Sequence, residues 1–291
     1  MALPAARLRD LSACPAHGAG LVSQGADTVQ ANNQPLARAS DQCACTAGPA
    51  DTITTGSATV RANDRPAARV GSKTVHGGNV MTGSANVWVG GPDATLLGPV
   101  SAGMASCKGM AQTRKTQGSK SQSWGNCGLE TMRSMLNARR ARLGLPPITE
   151  EEMLKKGLDA GAGNNPAKPW AKGATDGKTE SEIMKAEGMP IKWEWGTPEN
   201  IEAALAKGQP VGARVRPVEY WPPGSAKEET EHEVLVIGVE HDEHGKIVAY
   251  IINDSGIGKC GMRVPAAEFD AARKQTDGKQ KGIMIPEEPV Y

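Results

Sequence analysis

The sequence predicts two domains of different fold class, an all-β N-terminal domain and an α+β C-terminal domain. The first third of the chain repeats a short strand-like unit, and the last 170 or so residues place helical segments before a run of β-rich segments. A length of 291 residues is comfortable for two domains. Gly and Pro contribute 35 and 20 residues while aromatic residues make up only 3%, which favours turns and short strands in part of the chain.

Charge and hydropathy exclude several classes of protein. The formal net charge is +1, so no overall attraction to nucleic acid or to anionic lipid is expected. No apolar stretch approaches the length that a membrane-spanning helix needs, and the first residues lack the apolar core of a signal peptide. We therefore expect a soluble protein made in the cytoplasm, without a membrane anchor, whose export would use a route that reads no cleavable signal.

The repeat is the first element of the N-terminal domain. Residues Gly25–Arg38 match Gly56–Arg69 almost position for position, a third copy begins at Gly83, and Pro4–Arg7 is a half copy. Polar and small or apolar residues alternate within each unit, which is typical of a strand, and the pair Asn63–Asp64 predicts a hairpin turn. The repeat predicts a compact, three-sided β structure built from hairpins.

Cysteine and histidine are concentrated at the start of the chain. Three of the six cysteines lie within the first 45 residues, in segments that also carry histidine. A cytoplasmic chain of this length does not depend on disulfides, whereas a small β domain with little apolar core gains from an internal metal crosslink. This distribution favours a structural zinc site over disulfides.

The N-terminal residues resemble a known family. Pro66–Arg69 is the Pro-Ala-Ala-Arg motif of the PAAR-repeat proteins, and Thr74–Gly78 followed by Thr82–Ser84 is similar to their loop. The resemblance covers about the first 100 residues, and we assign residues 1–104 to this domain. It implies a small cone that sits on the VgrG spike of the type VI secretion system, with zinc bound near the tip.

Aligning the repeat copies predicts the zinc ligands. Cys14 and Cys45 stand eleven residues before the glycines that open the first and second copies, and His17 and His76 stand at nearly equivalent positions before the first and third. These four residues are the predicted ligand set, and Cys43 is an alternative to either cysteine. Four Cys and His ligands suit a tetrahedral zinc ion.

The predicted C-terminal domain begins after a linker. Residues 105–120 are rich in Gly, Ser, Lys, Gln and Thr, which is typical of a flexible connection. In the assigned domain, 121–291, apolar residues recur at helical spacing from Leu129 to Leu136, so a helix is expected to begin at about Cys127. A cysteine at a helix N-terminus lies at the positive end of the helix dipole, which favours the reactive thiolate.

The strands that follow predict the partners of this cysteine. His232 stands just before the apolar strand segment that ends at Val239, and Asn253 and Asp254 end the next strand. The two strands are expected to form an antiparallel hairpin, which places the start of one beside the end of the other. A nucleophile, an imidazole and a group that orients the imidazole are the components of nucleophilic acyl transfer.

These residues resemble the papain-like cysteine peptidases. The resemblance is carried by Asn126–Gly128, by the stretch Gly208–Val211 and by Tyr250–Gly256, and it is closest to the bacteriocin-processing, double-glycine peptidases. It implies a triad of Cys127, His232 and Asp254, with Asn253 as the alternative third member. It further implies that Gln122 contributes to an oxyanion hole, although the family more often has this glutamine six residues before the cysteine than five.

Together the two resemblances imply a type VI secretion effector, a toxin made in a bacterium and injected into a recipient cell. We expect its peptidase to cleave a protein in the recipient cytoplasm and a cognate immunity protein to protect the producer in interbacterial competition. We expect no nucleic-acid partner and no organic cofactor. A deamidase or transglutaminase with the same triad, and a catalytically inactive spike adaptor, remain as alternatives.

Overall fold

The structure is a computed structural model that describes residues 1–96, 126–164, 172–221, 231–242, 244–274 and 282–290. Its N-terminal part is all β, and its C-terminal part combines helices with an antiparallel sheet, so the two expected fold classes are confirmed. The predicted linker and the boundaries at 104 and 121 lie outside the described residues. The division into domains therefore stays a prediction.

Short strands make up the N-terminal part. They are β1 Leu3–Pro4, β2 Leu11–Ser12, β3 Gly20–Leu21, β4 Gln30–Ala31, β5 Gln34–Pro35, β6 Gln42–Cys43, β7 Asp51–Thr52, β8 Thr55–Ser57, β9 Arg61–Ala62, β10 Arg65–Pro66, β11 Trp88–Val89 and β12 Asp93–Leu96. The hairpin β9–β10 turns at Asn63 and Asp64, which both have positive φ. Positive φ at both central residues is the requirement of the hairpin turn that this residue pair predicts.

The three Pro-Ala-Ala-Arg-like segments contact one another in a ring. Isolated bridges join Ala5 to Arg69, Arg7 to Leu36, and Arg38 to Ala67. The alanines of these segments are fully buried, since only a small side chain fits where three backbone segments converge. Buried ion pairs such as Arg38–Asp41, at 2.9 Å, satisfy the arginines. The three-sided arrangement expected from the repeat is thus present.

The C-terminal part begins with a helix. Its helices are α1 Cys127–Arg142, α2 Glu150–Asp159, α3 Gly177–Ala186, α4 Pro198–Ala206 and α5 Ala266–Arg273, with a 3₁₀ turn at Pro217–Glu219. Its strands are β13 Gly163–Asn164, β14 Lys172–Ala174, β15 Ile191–Trp195, β16 Val211–Val215, β17 His232–His241, β18 Ile247–Asp254, β19 Lys259–Pro265 and β20 Gly282–Pro286. Helix α2 opens with a capping box between Thr149 and Glu152, and Thr197 caps α4, so local chemistry sets both starts.

The central sheet has helices on both faces. Leu235 and Ile237 of β17 pack with Leu129 and Met132 of α1 in one core, whereas Val234 of the same strand packs in the core of the opposite face. Since both faces are covered, β17 is an almost continuous apolar run. Among the described residues, no helix is both long and apolar enough to cross a bilayer.

The sheet extends into the N-terminal part. The strand order is β15-β20-β16-β17-β12-β8, and β18 and β19 extend the sheet from β17. Strand β12 pairs with β17, so that Ala94 lies opposite Glu240. Glu240 is buried and pairs with Arg61 at 3.2 Å and with Arg263 at 2.7 Å. Backbone hydrogen bonds and a charge cluster thus join the two parts.

Candidate active site and candidate metal centre

Cys127 is the first residue of α1. The side chain of Asn126, which occupies the N-cap position, makes no capping hydrogen bond to the helix and donates instead to Glu150 Oε1 at 3.2 Å. The backbone N–H groups of the first turn are therefore not capped by this side chain and face the region of the thiol, where they favour negative charge. The expected start of the helix at Cys127 is observed.

His232, the first residue of β17, is in contact with Cys127. Burial would raise the pKa of the Cys127 thiol, but the hydrogen bond and charge of His232, with the N–H groups of Glu233 and Gly128, outweigh it and lower that pKa. Burial likewise opposes a charge on His232, yet Asp254 and Cys127 together raise the pKa of His232 to about 10. Both shifts favour a thiolate–imidazolium pair.

Asp254, the last residue of β18, is the group that holds the imidazole. Its Oδ1 lies 2.8 Å from Nε2 of His232, which leaves the other ring nitrogen, Nδ1, to exchange a proton with the sulfur. The carboxylate is fully buried. Burial would raise the pKa of Asp254, but the charge and hydrogen bond of His232, together with other donors, lower it.

Those other donors complete the shell of the carboxylate. Gly256 N donates to Oδ1 at 2.8 Å, while Trp221 Nε1 and Tyr220 Oη donate to Oδ2 at 2.7 and 3.2 Å. The ring of Trp221 also meets the imidazole of His232 edge to face, with centroids 5.2 Å apart. A Cβ on Gly256 would lie 2.4 Å from the Trp221 ring, so only glycine permits this packing.

The alternative third member, Asn253, is turned elsewhere. Its Oδ1 accepts a hydrogen bond from Gly261 N at 2.9 Å, on the β19 side of the strand. The geometry thus favours Asp254 over Asn253 as the partner of His232. Gln122, the expected oxyanion-hole residue, lies outside the described residues.

Sequence reasoning missed the roles of Tyr220 and Trp221. No pattern in the sequence links either residue to a carboxylate more than 30 positions away. It also missed a cleft of about 210 Å³ beside Cys127, to which Glu180, Arg214 and Glu233 contribute. The signal in the sequence was weak: Glu233 is a charged residue directly before the apolar stretch 234–239 of β17.

The four predicted metal ligands come together in the N-terminal part. Cys14, His17, Cys45 and His76 place their ligand atoms within 4.8 Å of one another. The two sulfurs are 3.1 Å apart, the two Nδ1 atoms 3.2 Å, and the sulfur–nitrogen distances from Cys14 are 3.8 and 3.4 Å. Tetrahedral zinc with bonds of about 2.0–2.3 Å requires ligand separations of about 3.3–3.8 Å. The sulfur–nitrogen distances meet this requirement, while the sulfur–sulfur and nitrogen–nitrogen distances are slightly shorter. Two thiols and two imidazoles that converge in this way are a donor set that fits zinc.

Cys43, the alternative ligand, lies outside this group. Its side chain is buried in an apolar cluster with Val22 and Ile53. Burial raises the pKa of its thiol to about 12, which is a property of a core cysteine. The cluster of four is a Cys₂His₂ candidate metal centre, and Cys45 is the cysteine that joins Cys14.

Comparisons with known proteins address the two parts separately. The PAAR motif family model matches residues 1–50 and 15–82, so the N-terminal part carries PAAR motifs. No curated protein matches the sequence. The C-terminal part, with its cysteine at a helix start packed on an antiparallel sheet, has the α+β layout expected of a papain-like cysteine peptidase. The chain thus combines a PAAR region with an α+β part that carries Cys127 at the start of a helix.

Two solved structures are similar to the chain. A C39-like peptidase from Bacillus anthracis is 15% identical, with a TM-score of 0.37, and the match covers 56% of this chain and 90% of the peptidase. Xylellain, a cysteine protease from Xylella fastidiosa, is also 15% identical, with a TM-score of 0.32 and coverage of 64% and 88%. The geometry of the site, and not these distant likenesses, carries the proposals that follow.

Proposed function

We propose that the protein is a type VI secretion effector whose C-terminal domain is a cysteine peptidase that cleaves a protein of the target cell. One observation carries the enzymatic part of the proposal. Cys127 at a helix N-terminus contacts a buried His232, whose far nitrogen is held 2.8 Å from a buried carboxylate of Asp254. A pre-formed ion pair of this kind is costly to bury and has an evident use in acyl transfer.

In the proposed mechanism, the thiolate of Cys127 attacks a substrate carbonyl carbon. The negative charge that develops on the carbonyl oxygen is stabilised by backbone N–H groups at the start of α1 and, as a further prediction, by Gln122. The imidazolium of His232 then protonates the leaving amine, and the acyl-cysteine thioester forms. Neutral His232 next takes a proton from water, which hydrolyses the thioester. Asp254 keeps Nε2 hydrogen-bonded throughout, so that Nδ1 faces the reacting atoms.

Delivery is the proposed role of the N-terminal part. The PAAR motifs support docking on the tip of a VgrG spike, and the Cys₂His₂ cluster supports a structural zinc ion that stiffens the β region. The pairing of β12 with β17 supports carriage of the peptidase in one piece with the PAAR region. The effector would be made in the cytoplasm of a bacterium, exported by the secretion system and active in the recipient cytoplasm.

A cognate immunity protein is part of the same proposal, because a bacterium that makes an active toxin needs protection. The cleft beside Cys127 is the surface such a protein would cover. Co-purification of the full chain with the product of the adjacent open reading frame is the expected result. Absence of binding at micromolar concentration would count against it.

The proposal is tested by comparing the full chain with its Cys127→Ala variant in a lysate of a sensitive cell. New protein N-termini that depend on Cys127 are expected. A small mass gain on intact chains would instead identify a deamidase, and a transferred amine would identify a transglutaminase, since both proceed through an acyl-cysteine. Equal toxicity of the two proteins in recipient cells would identify an inactive adaptor and refute the enzyme.

A further inference from the structure

The cleft beside the nucleophile holds more acid than base. Among the described residues, the cleft is lined by three that bear carboxyl groups, Glu180, Glu231 and Glu233, and by one that bears a guanidinium, Arg214. Cys127 and His232 also line it, but as an ion pair they add no net charge. Because Glu180 and Glu233 are buried, their carboxyl groups act strongly on any charged group that enters the cleft.

Both carboxylate oxygens of Glu180 have partners on neighbouring residues. Its Oε1 accepts the hydroxyl hydrogen of Thr175 at 2.6 Å, and its Oε2 pairs with Nη2 of Arg214 at 3.2 Å. Arg214 is also held over the ring of Trp193, at 5.1 Å from the ring centroid. The guanidinium of Arg214 is therefore held by Glu180 and by an aromatic face.

Glu233 lacks a comparable partner. It is only 3% exposed, and it lies opposite Arg214 in the β16–β17 ladder, on the sheet face that α1 and α3 cover. Its Oε2 is 3.6 Å from Nε of Arg214, beyond good hydrogen-bond distance, and its Oε1 has no hydrogen-bond partner among the described residues. Burying an acceptor without a donor is unfavourable, so a site of this kind calls for a donor from outside.

We propose that Glu233 is a specificity residue that binds a cationic side chain, lysine or arginine, of the protein substrate next to the carbonyl that Cys127 attacks. This inference rests on the proposed acyl-transfer function. A cleft of about 210 Å³ has room for an ammonium or guanidinium head group. Such a head group supplies the donor that Glu233 Oε1 lacks and balances the surplus acid.

The electrostatics of Glu233 agree with a cation-binding role. Burial, with the negative charges of Glu180 and the Cys127 thiolate, raises the pKa of Glu233 well above its ordinary value, against the attraction of Arg214 and His232. A cation in the cleft opposes this rise, because it favours the carboxylate form of Glu233.

The test uses the full chain and a synthetic peptide library, with products detected by mass spectrometry as chain breaks or small mass gains. For the best substrate, Lys is replaced by norleucine, or Arg by citrulline, which keeps the shape and removes the charge. We expect kcat/KM to fall at least about tenfold at one position. In Glu233→Gln the kcat/KM values of the cationic and the uncharged peptide should differ by no more than about threefold, mainly because KM for the cationic peptide rises. Glu182→Gln, an exposed position on the same helix as Glu180, should keep the full ratio.

The possible outcomes distinguish failure of the role of Glu233 from failure of the proposed acyl-transfer function. Turnover that depends on Cys127 but shows no cation preference at any position, or a preference for glutamine, would overturn the role of Glu233 alone. The peptide comparison needs no mutant, so it decides the question even if Glu233→Gln fails to fold. No product that depends on Cys127 from any peptide would overturn the proposed function and this inference with it.

Discussion

Replacing Asp254 by Asn tests the site without knowledge of the substrate. Two donors converge on each oxygen of Asp254: His232 and Gly256 on Oδ1, and Trp221 and Tyr220 on Oδ2. Whichever way the amide is turned, its NH₂ group would face two donors. The negative charge that raises the pKa of His232 to about 10 is also lost, so the thiolate loses its cation.

The magnitude follows from the thiolate fraction. A thiol with an ordinary pKa of about 8.5 is only about 1% ionised at pH 6.5, a roughly 100-fold smaller fraction than in a complete ion pair. A thiolate of lower pKa is intrinsically less nucleophilic, with a Brønsted slope of about 0.4–0.5, which offsets part of this difference. We therefore expect alkylation of Cys127 at pH 6.5 to slow by several-fold, at most about eightfold, in Asp254→Asn.

The assay is alkylation by iodoacetamide from pH 5.5 to 9, with the peptide that contains Cys127 quantified by mass spectrometry. The other free cysteines of the described residues, Cys14, Cys43 and Cys45, serve as internal references. The wild-type rate should vary little with pH, while the rate of the variant should rise with pH as for an ordinary thiol. Asp159→Asn, at an exposed site on α2, is the matched control. Equal profiles for wild type and Asp254→Asn would refute the reasoning.

Three further predictions concern stability and metal. Between about pH 6.5 and 8.5 the wild-type ion pair carries one proton in total, as do the unfolded Cys and His together, so the pair adds no pH dependence. Cys127→Ala removes the share of the His232 pKa rise that Cys127 causes and keeps the share that Asp254 causes. Where Asp254 keeps His232 protonated in the folded state alone, the unfolding free energy of the variant should fall by up to about 1.4 kcal/mol per pH unit relative to wild type in urea titrations. Equal slopes of unfolding free energy against pH for the wild type and for Cys127→Ala would contradict the thiolate–imidazolium pair. Gly256→Ala should displace the Trp221 ring, cost about 1–3 kcal/mol in thermal unfolding and lower kcat, and an unchanged melting temperature would show that the contact is not tight. Elemental analysis is expected to find one zinc ion per chain, which Cys45→Ala should lose and Cys43→Ala should keep. The opposite result would show that Cys43, and not Cys45, is the zinc ligand.

Local chemistry made much of the fold predictable. The start of α1 at Cys127 depends on residues a few positions apart and was predicted from the sequence. The capping box at Thr149 and the cap at Thr197 are equally local. The hairpin β17–β18 was also predicted, and it brings His232 to Asp254. The repeat alignment alone places the four metal-ligand candidates in one set, and their ligand atoms converge in the structure.

Long-range pairing was not predictable in the same way. Nothing in the apolar pattern of β17 indicates that β12 of the PAAR region pairs with its far end, because a strand buried on both faces accepts many partners. The donors from Trp221 to Asp254 and the unsatisfied oxygen of Glu233 likewise arise only where distant segments meet. The position of Gln122 falls outside the described residues, so its role stays a prediction.

The protonation state of His232 tests the central claim most directly. The chain contains only five histidines, so ¹⁵N-histidine labelling gives few imidazole signals, and His232→Gln assigns the one of interest. We predict that both ring nitrogens of His232 carry protons in the wild type at pH 8, which is the state of an imidazolium paired with a thiolate. A neutral His232 ring at pH 7 would contradict the ion pair and, with it, the proposed peptidase.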